Sequence, residues 1–193
     1  MTGNDATGKD ATRNDDKARF ASVVMPHLAD AYALARWITG NRTDAEDVVQ
    51  DACLRAFRAI AGFAGGSTRA WTLTIVRNTA YTWMSKNRSM PLVAIDDLEA
   101  LDDAQGLQSA SQTMGRDQAS TPETDLIAKA DAEQLRAAIA ALPVSFRETL
   151  VLRDVQGLDY REIAEVTAVP IGTVMSRLAR ARRRLIKTIG ADR

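Results

Sequence analysis

The chain has 193 residues, enough for one medium domain or two small ones, and its 25 basic and 25 acidic side chains cancel. A single cysteine and a single histidine exclude an internal disulfide and a Cys/His zinc cluster. No apolar run approaches the ~20 residues needed to span a bilayer, and the polar N-terminus lacks the apolar segment of a secretory signal, so a cytoplasmic protein without membrane insertion, metal or cofactor is expected.

The neutrality is an average. Residues 1–88 carry 12 basic and 9 acidic side chains, residues 89–124 carry 1 and 7, and residues 125–193 carry 12 and 9. Two mildly basic blocks therefore flank an acidic connector.

Residues 1–18 offer almost nothing to bury and read as a disordered tail. The stripe Phe20, Val23, Val24, His27, Leu28 and Ala31 predicts an amphipathic helix from about Phe20 to Ile38, perturbed near Pro26 and ended at Gly40. His27 on that stripe reads as a structural histidine. Thr43 and Glu46 have capping-box spacing and open a helix that runs to about Ala61. Its stripe, Ala45, Val48, Val49, Ala52, Cys53, Ala56, Phe57 and Ile60, puts Cys53 in the core. A glycine-rich loop from Gly62 to Ser67 then carries Phe63.

The next segment, 69–87, is locally ambiguous. Trp71 to Val76 alternates and is β-branched, which favours a strand, but Leu73, Val76, Ala80, Trp83 and Met84 make a helical stripe. Helix is expected, because a lone strand among helices would have no partner. Trp71, Ile75, Asn78 and Thr82 form its second face, packed on a neighbour or offered as a contact surface.

Residues 89–120 are linker by composition, and a loop of that length inside one compact domain argues for two domains. Thr121-Pro122-Glu123 restarts helix with a cap and a first-turn proline, burying Leu135, Ala138, Ile139 and Leu142. Pro143 breaks it to a helix with Phe146, Leu150 and Val151, which Gly157 ends. Asp159 and Glu162 then make a second capping box, for a short helix with an Ile163/Val166 edge. After Pro170 a last helix buries Val174, Leu178, Ala181 and Leu185. Thr173, Ser176, Arg177, Arg180, Arg183, Arg184 and Lys187 fall opposite, and the run from Arg177 to Lys187 holds six basic residues and no acid. A salt-bridged surface helix would alternate signs. The layout is a helix-turn-helix whose second helix enters a DNA major groove; a hairpin with a solvated charged face is the plain alternative.

Two motifs occur in order. Asp44-Ala45-Glu46-Asp47-Val48-Val49-Gln50-Asp51 resembles the core-polymerase-binding motif of bacterial sigma factors, as does Arg69-Ala70-Trp71 followed by Ile75-Val76-Arg77-Asn78. Leu142-Pro143, Tyr160-Arg161-Glu162-Ile163-Ala164, Gly172-Thr173-Val174, Ser176-Arg177-Leu178 and Arg180-Ala181-Arg182 resemble region four of that family. Over about 20–88 and 125–189, and at this length, the chain is similar to the extracytoplasmic-function (ECF) group of the sigma-70 family.

The resemblance implies an all-α chain of two small helical domains: region two over 19–88, a flexible acidic linker over 89–124, and region four over 125–193. It implies a non-enzymatic factor that binds core RNA polymerase and directs promoter-specific initiation under an anti-sigma factor. Asp47, Val48, Val49 and Gln50 would dock on the β′ clamp helices, and region four would meet the β flap. Arg55, Ala59, Phe63, Ile75 and Asn78 would capture a flipped base of the minus-ten strand. Thr173, Ser176, Arg177, Arg180 and Arg184 would meet the minus-thirty-five element. An extruded base needs an aromatic or apolar wall and a hydrogen-bonding amide, which Phe63, Ile75 and Asn78 could supply.

Three positions depart from the family pattern. Met175 stands where a basic residue is common, Thr72 where leucine is typical, and Ala168 where the turn often has glycine, tolerable if the turn avoids a left-handed angle. The competing readings are a dimeric helix-turn-helix repressor or activator, and an enzyme acting on nucleic acid. Against the enzyme, the chain lacks clustered carboxylates, a Cys/His metal set and a phosphate-binding glycine loop with lysine.

Overall fold

A computed structural model describes residues 5–87 and 122–191, with side chains over 14–87 and 131–190. Among the described residues there are eight α-helices: α1 Asp5–Val23, α2 Leu28–Thr39, α3 Arg42–Ala59, α4 Thr68–Asn87, α5 Pro122–Ala140, α6 Val144–Leu150, α7 Tyr160–Thr167 and α8 Ile171–Ala191. The acidic connector lies outside the described residues except for Pro122–Thr124, which form the first turn of α5.

Pro26 splits the first predicted helix. It fixes a 3₁₀ turn over Met25–His27, so α1 and α2 are separate helices. The expectation of a disordered tail over 1–18 is corrected from Asp5 onward, because α1 begins there. Its last turns have a reason to be ordered: Phe20 meets Phe57 edge-on at 5.6 Å, and Val23 and Val24 bury against Ala56 and Ile60. Gly40 ends α2 in a left-handed conformation (φ 84°) that glycine adopts without steric cost.

Helix α3 starts earlier than the Thr43/Glu46 spacing predicts. Asn41, extended at φ −141°, accepts the Asp44 N–H at 2.9 Å, whereas Glu46 turns to Arg42 at 2.8 Å. Asparagine directly after a helix-ending glycine outcompetes a threonine two residues on. Cys53 is half-buried rather than core, and burial raises its thiol pKa above the ordinary value.

The ambiguous segment is helix α4, and the physical source of its strand-like pattern is visible. It is buried on two sides: Leu73, Val76 and Ala80 pack with α2 and α3, while a second side meets α7. Thr72, Thr74 and Thr79 return their hydroxyls to the carbonyls of Thr68, Ala70 and Ile75 at 2.7–2.8 Å, so buried threonines leave no unpaired hydroxyl. Thr72 in place of leucine is therefore packed and satisfied, at 2 % exposure.

In the second half, the described side chains of α5 bury at Ala138 and Ile139; Leu135, expected in the core, is exposed. Helix α6 runs into a π-turn over Val151–Val155, where the Gln156 N–H reaches back to the Val151 carbonyl at 2.9 Å. The Asp159/Glu162 capping box of α7 forms as expected. Ala168 closes α7 at φ 55°, ψ 40°, the left-handed angle that an alanine disfavours.

The two halves touch. Leu152, Leu158, Ile163, Val166, Val174 and Leu178 belong to the same buried cluster as Leu34, Leu73 and Val76. Among the described residues, no helix is long and apolar enough to cross a membrane.

Candidate nucleic-acid interface

Helix α8 supplies the basic surface. Val174, Leu178 and Ala181 are its buried line, and Leu185 continues it half-buried. Ser176, Arg183 and Lys187 are exposed directly opposite, with Thr173 and Arg180 half-exposed beside them. The single "opposite face" of the helical wheel needs correction at two arginines. At 100° per residue, Arg177 lies on the flank nearer the buried line than its antipode, and Arg184 lies midway between the two. Arg184 sits over the Phe146 ring at 5.2 Å. Arg177 turns toward α6, its side chain 16 % exposed and its Nη1 4.0 Å from Glu148 Oε1.

The run contains no acid of its own, but neighbouring elements supply two. Asp154 of the π-turn pairs with Arg182 at 2.7 Å, and Glu148 of α6 faces Arg177. Counting charges along one helix missed them, because acids that neutralise a face can come from another element.

Glu148 is the polar centre of the contact between the halves. Its carboxylate is fully buried and takes two hydrogen bonds from Arg77 of α4, at 3.0 and 3.1 Å. Burial raises its pKa above the ordinary carboxylate value, against the opposing pull of Arg77, Tyr81 and Arg177. Burial alone would lower Arg77, but the Glu148 charge and hydrogen bonds outweigh it and hold that guanidinium above its ordinary value. The Tyr81 phenol is raised, by burial first and then by the Glu148 charge, and its ring lies 4.4 Å under the Arg77 guanidinium. Arg69 adds a second tie across the halves, with Nε on Asp30 at 2.7 Å and Nη2 on the Gln156 carbonyl at 2.7 Å. Arg147 donates to the Trp37 carbonyl at 2.8 Å. Sequence reasoning recorded Arg69 and Arg77 only as motif letters and passed over Glu148, for which nothing in the local pattern signals burial.

The aromatic loop joins α3 to α4. Phe63 is half-buried, its ring 5.1 Å from Trp71, and Trp71, Ile75 and Phe63 pack on one cluster with Ala56 and Ile60. Asn78 is exposed one turn along α4 from Ile75, with its Oδ1 3.4 Å from Arg77 Nη1. Arg55 and Ala59 are exposed one turn apart on the last turns of α3, and Arg55 is paired with Asp51 at 2.8 Å. The structure thus gathers Phe63 and Ile75 directly and leaves Arg55, Ala59 and Asn78 open on the flanking helices. His27 lies at the other end of α4's first turn, its Nε2 2.9 Å from Thr68 Oγ1.

On α3, Asp47 and Gln50 are exposed and Val49 is half-buried. Val48 is 1 % exposed and belongs to the core, so it holds the helix in place and cannot face a docking partner. Leu54 is exposed at 59 %, on the same side as Asp47 and Asp51 by helical spacing. Met175 is also exposed, at 54 %, so an uncharged side chain stands on the flank of α8 opposite Arg177.

Two family models match the chain: "Sigma-70 region 2" over residues 23–90 and "Sigma-70, region 4" over residues 132–185. The chain is 31 % identical over 172 residues to the ECF RNA polymerase sigma-E factor of Escherichia coli K12, covering 88 % of this chain and 85 % of that protein. It is 29 % identical over 185 residues to the ECF RNA polymerase sigma factor SigE of Mycolicibacterium smegmatis, covering 94 % of this chain and spanning 64 % of that protein's length. Among solved structures it is similar to the sigma factor RpoE bound to the anti-sigma factor NepR from Bartonella quintana, with TM-score 0.60, 27 % identity, and coverage of 88 % and 95 %. CnrH in complex with the cytosolic domain of CnrY shares the fold, with TM-score 0.61 at 22 % identity, covering 90 % of this chain and 89 % of that one.

Proposed function

Because the chain belongs to the extracytoplasmic-function group of sigma-70 family RNA polymerase sigma factors, we propose a division of labour along it. Asp47, Val49 and Gln50 on α3 dock core polymerase, the Phe63 loop with Ile75 and Asn78 captures an unpaired minus-ten base, and α8 reads the minus-thirty-five element. The observation that carries this reading is the pairing, in one chain, of a helix α8 whose outer side is basic with a partly buried aromatic loop beside an exposed amide.

The two promoter elements are 25 base pairs apart by name, about 85 Å at ~3.4 Å per pair. A compact chain of this size has a radius of gyration of about 16 Å, so halves in contact cannot reach both elements together. The connector between Asn87 and Pro122 can extend to ~110 Å at ~3.3 Å per residue, which suffices. Initiation therefore requires the halves to part. Arg177 reaches DNA only after leaving Glu148, so Arg180 and Ser176 are the reading residues available from the start. The solved relative in complex with an anti-sigma factor supports an anti-sigma partner here too.

Run-off transcription with core polymerase on genomic fragments tests the reading. Discrete starts that depend on this chain support it. Binding of palindromic DNA as a dimer, unaided by polymerase and without transcript, would replace it with the repressor reading.

A further inference from the structure

The middle of the loop that carries Phe63, at Gly65 and Gly66, packs on nothing. Gly65 and Gly66 adopt φ 105° and 99°, and a Cβ on either would meet nothing within 4 Å, so neither packs against the body of the protein. Phe63 itself is tied on both sides. Its N–H bonds to the Ile60 carbonyl at 3.1 Å, and its own carbonyl accepts a hydrogen bond from the Arg19 guanidinium, 44 residues away on α1. Arg19 is brought there by its neighbours: Phe20 on Phe57, and Val23 and Val24 on Ala56 and Ile60, seat the end of α1 against the end of α3. With φ and ψ of Phe63 bounded by two hydrogen bonds, its ring rests on Trp71 at 5.1 Å.

A charged donor on a carbonyl makes a stronger hydrogen bond than a neutral one. Here it ties the Phe63 carbonyl to α1, outside the α3–α4 pair, while Ser67 at the far end of the loop donates to Glu162 of α7 at 3.3 Å. Capturing an extruded base requires the aromatic wall to be in place beforehand, since ordering it on binding would consume interaction energy.

We propose that Arg19 is a positioning residue for promoter opening: by holding the Phe63 carbonyl it fixes the aromatic wall against which the minus-ten base is captured. The inference rests on the assignment of Phe63 to that base. Arg19 contributes through the loop and makes no DNA contact of its own.

The test uses full-length chain reconstituted with core polymerase on a promoter recovered by run-off transcription, scored by permanganate reactivity of unpaired thymines at equal holoenzyme occupancy. Arg19→Met should lower open-complex formation by about 5- to 10-fold, the scale of one charge-assisted hydrogen bond at a half-exposed site. Arg19→Lys, which keeps a charged donor, should recover most of it. In a Phe63→Ala background, where no ring remains to be placed, Arg19→Met should cost less than about 2-fold further. A full multiplicative loss in that background would overturn the proposal. So would a salt dependence shallower by about one unit for Arg19→Met, the signature of a direct phosphate contact. If Phe63→Ala is impaired and Arg19→Met is not, the proposal alone falls. If Phe63→Ala melts promoters normally, the base-capture assignment falls and takes this one with it. Should Arg19→Met fail to fold, the comparison of Arg19→Lys with Arg19→Gln carries the same decision.

Discussion

A single backbone angle gives the sharpest residue-level expectation. Ala168 holds the turn of the helix-turn-helix at φ 55° with its side chain exposed. A left-handed angle costs an alanine ~1 kcal/mol relative to glycine, partly offset by the greater freedom of glycine in the unfolded chain. Ala168→Gly should therefore be neutral to stabilising by about 0.5 kcal/mol, whereas Ala168→Val, β-branched at the same angle, should cost more than ~1 kcal/mol. Thermal melting of the pair decides it; equal melting of the two variants would mean that the angle carries no strain. Cys53 gives a chemical expectation at the same scale. Burial raises its thiol pKa, so less thiolate is present at any pH below that value, and alkylation by iodoacetamide at pH 8 should lag well behind a free cysteine. Alkylation at the free-thiol rate would show the site to be open.

At the level of helices, α3 and α8 each separate an exposed polar side from a packing side. Alanine at both Asp47 and Gln50 changes two exposed positions, so stability should stay within about 0.5 kcal/mol per site, while co-purification with β′ should fall. Unchanged co-purification by the folded double variant would remove α3 as the docking helix. On α8, Arg180→Ala should relax minus-thirty-five base preference, a contact of about 1–3 kcal/mol. Arg183→Ala should weaken binding evenly and reduce the salt slope by about one. Promoter-variant transcription at two salt concentrations distinguishes them, and the reverse pattern would put the helix in the groove in another register. The helices after Gly40 and the second capping box were legible from the sequence, α4 only once the want of a strand partner was weighed, whereas the start of α1 was not. Asn41 was not, because two cap candidates lay within three residues and only the left-handed Gly40 before it favours the first. Nor was the inward turn of Arg177, since a wheel drawn for one helix cannot know that Glu148 waits on another. Leu135 failed for the converse reason: its periodicity is right, yet its side chain is left exposed while Ala138 and Ile139 are buried.

Across the whole molecule, the seam between the halves joins an apolar cluster to one buried carboxylate. Glu148→Gln keeps the shape and leaves Arg77 facing a neutral amide, so it should destabilise the seam by about 2–4 kcal/mol, near the cost of breaking a buried pair. Earlier thermal melting, with faster hydrogen exchange along α4 and α8, is the expected reading, and an unchanged melt would show that the carboxylate contributes nothing net. Under the proposed parting of the halves, the seam also bears on the affinity for polymerase. If only molecules with parted halves bind, the measured dissociation constant is the intrinsic one divided by the parted fraction, and each ~1.4 kcal/mol of closure weakens capture tenfold. Stability and affinity should then run in opposite directions at this one locus, so that a variant which melts sooner is the better competitor for core enzyme.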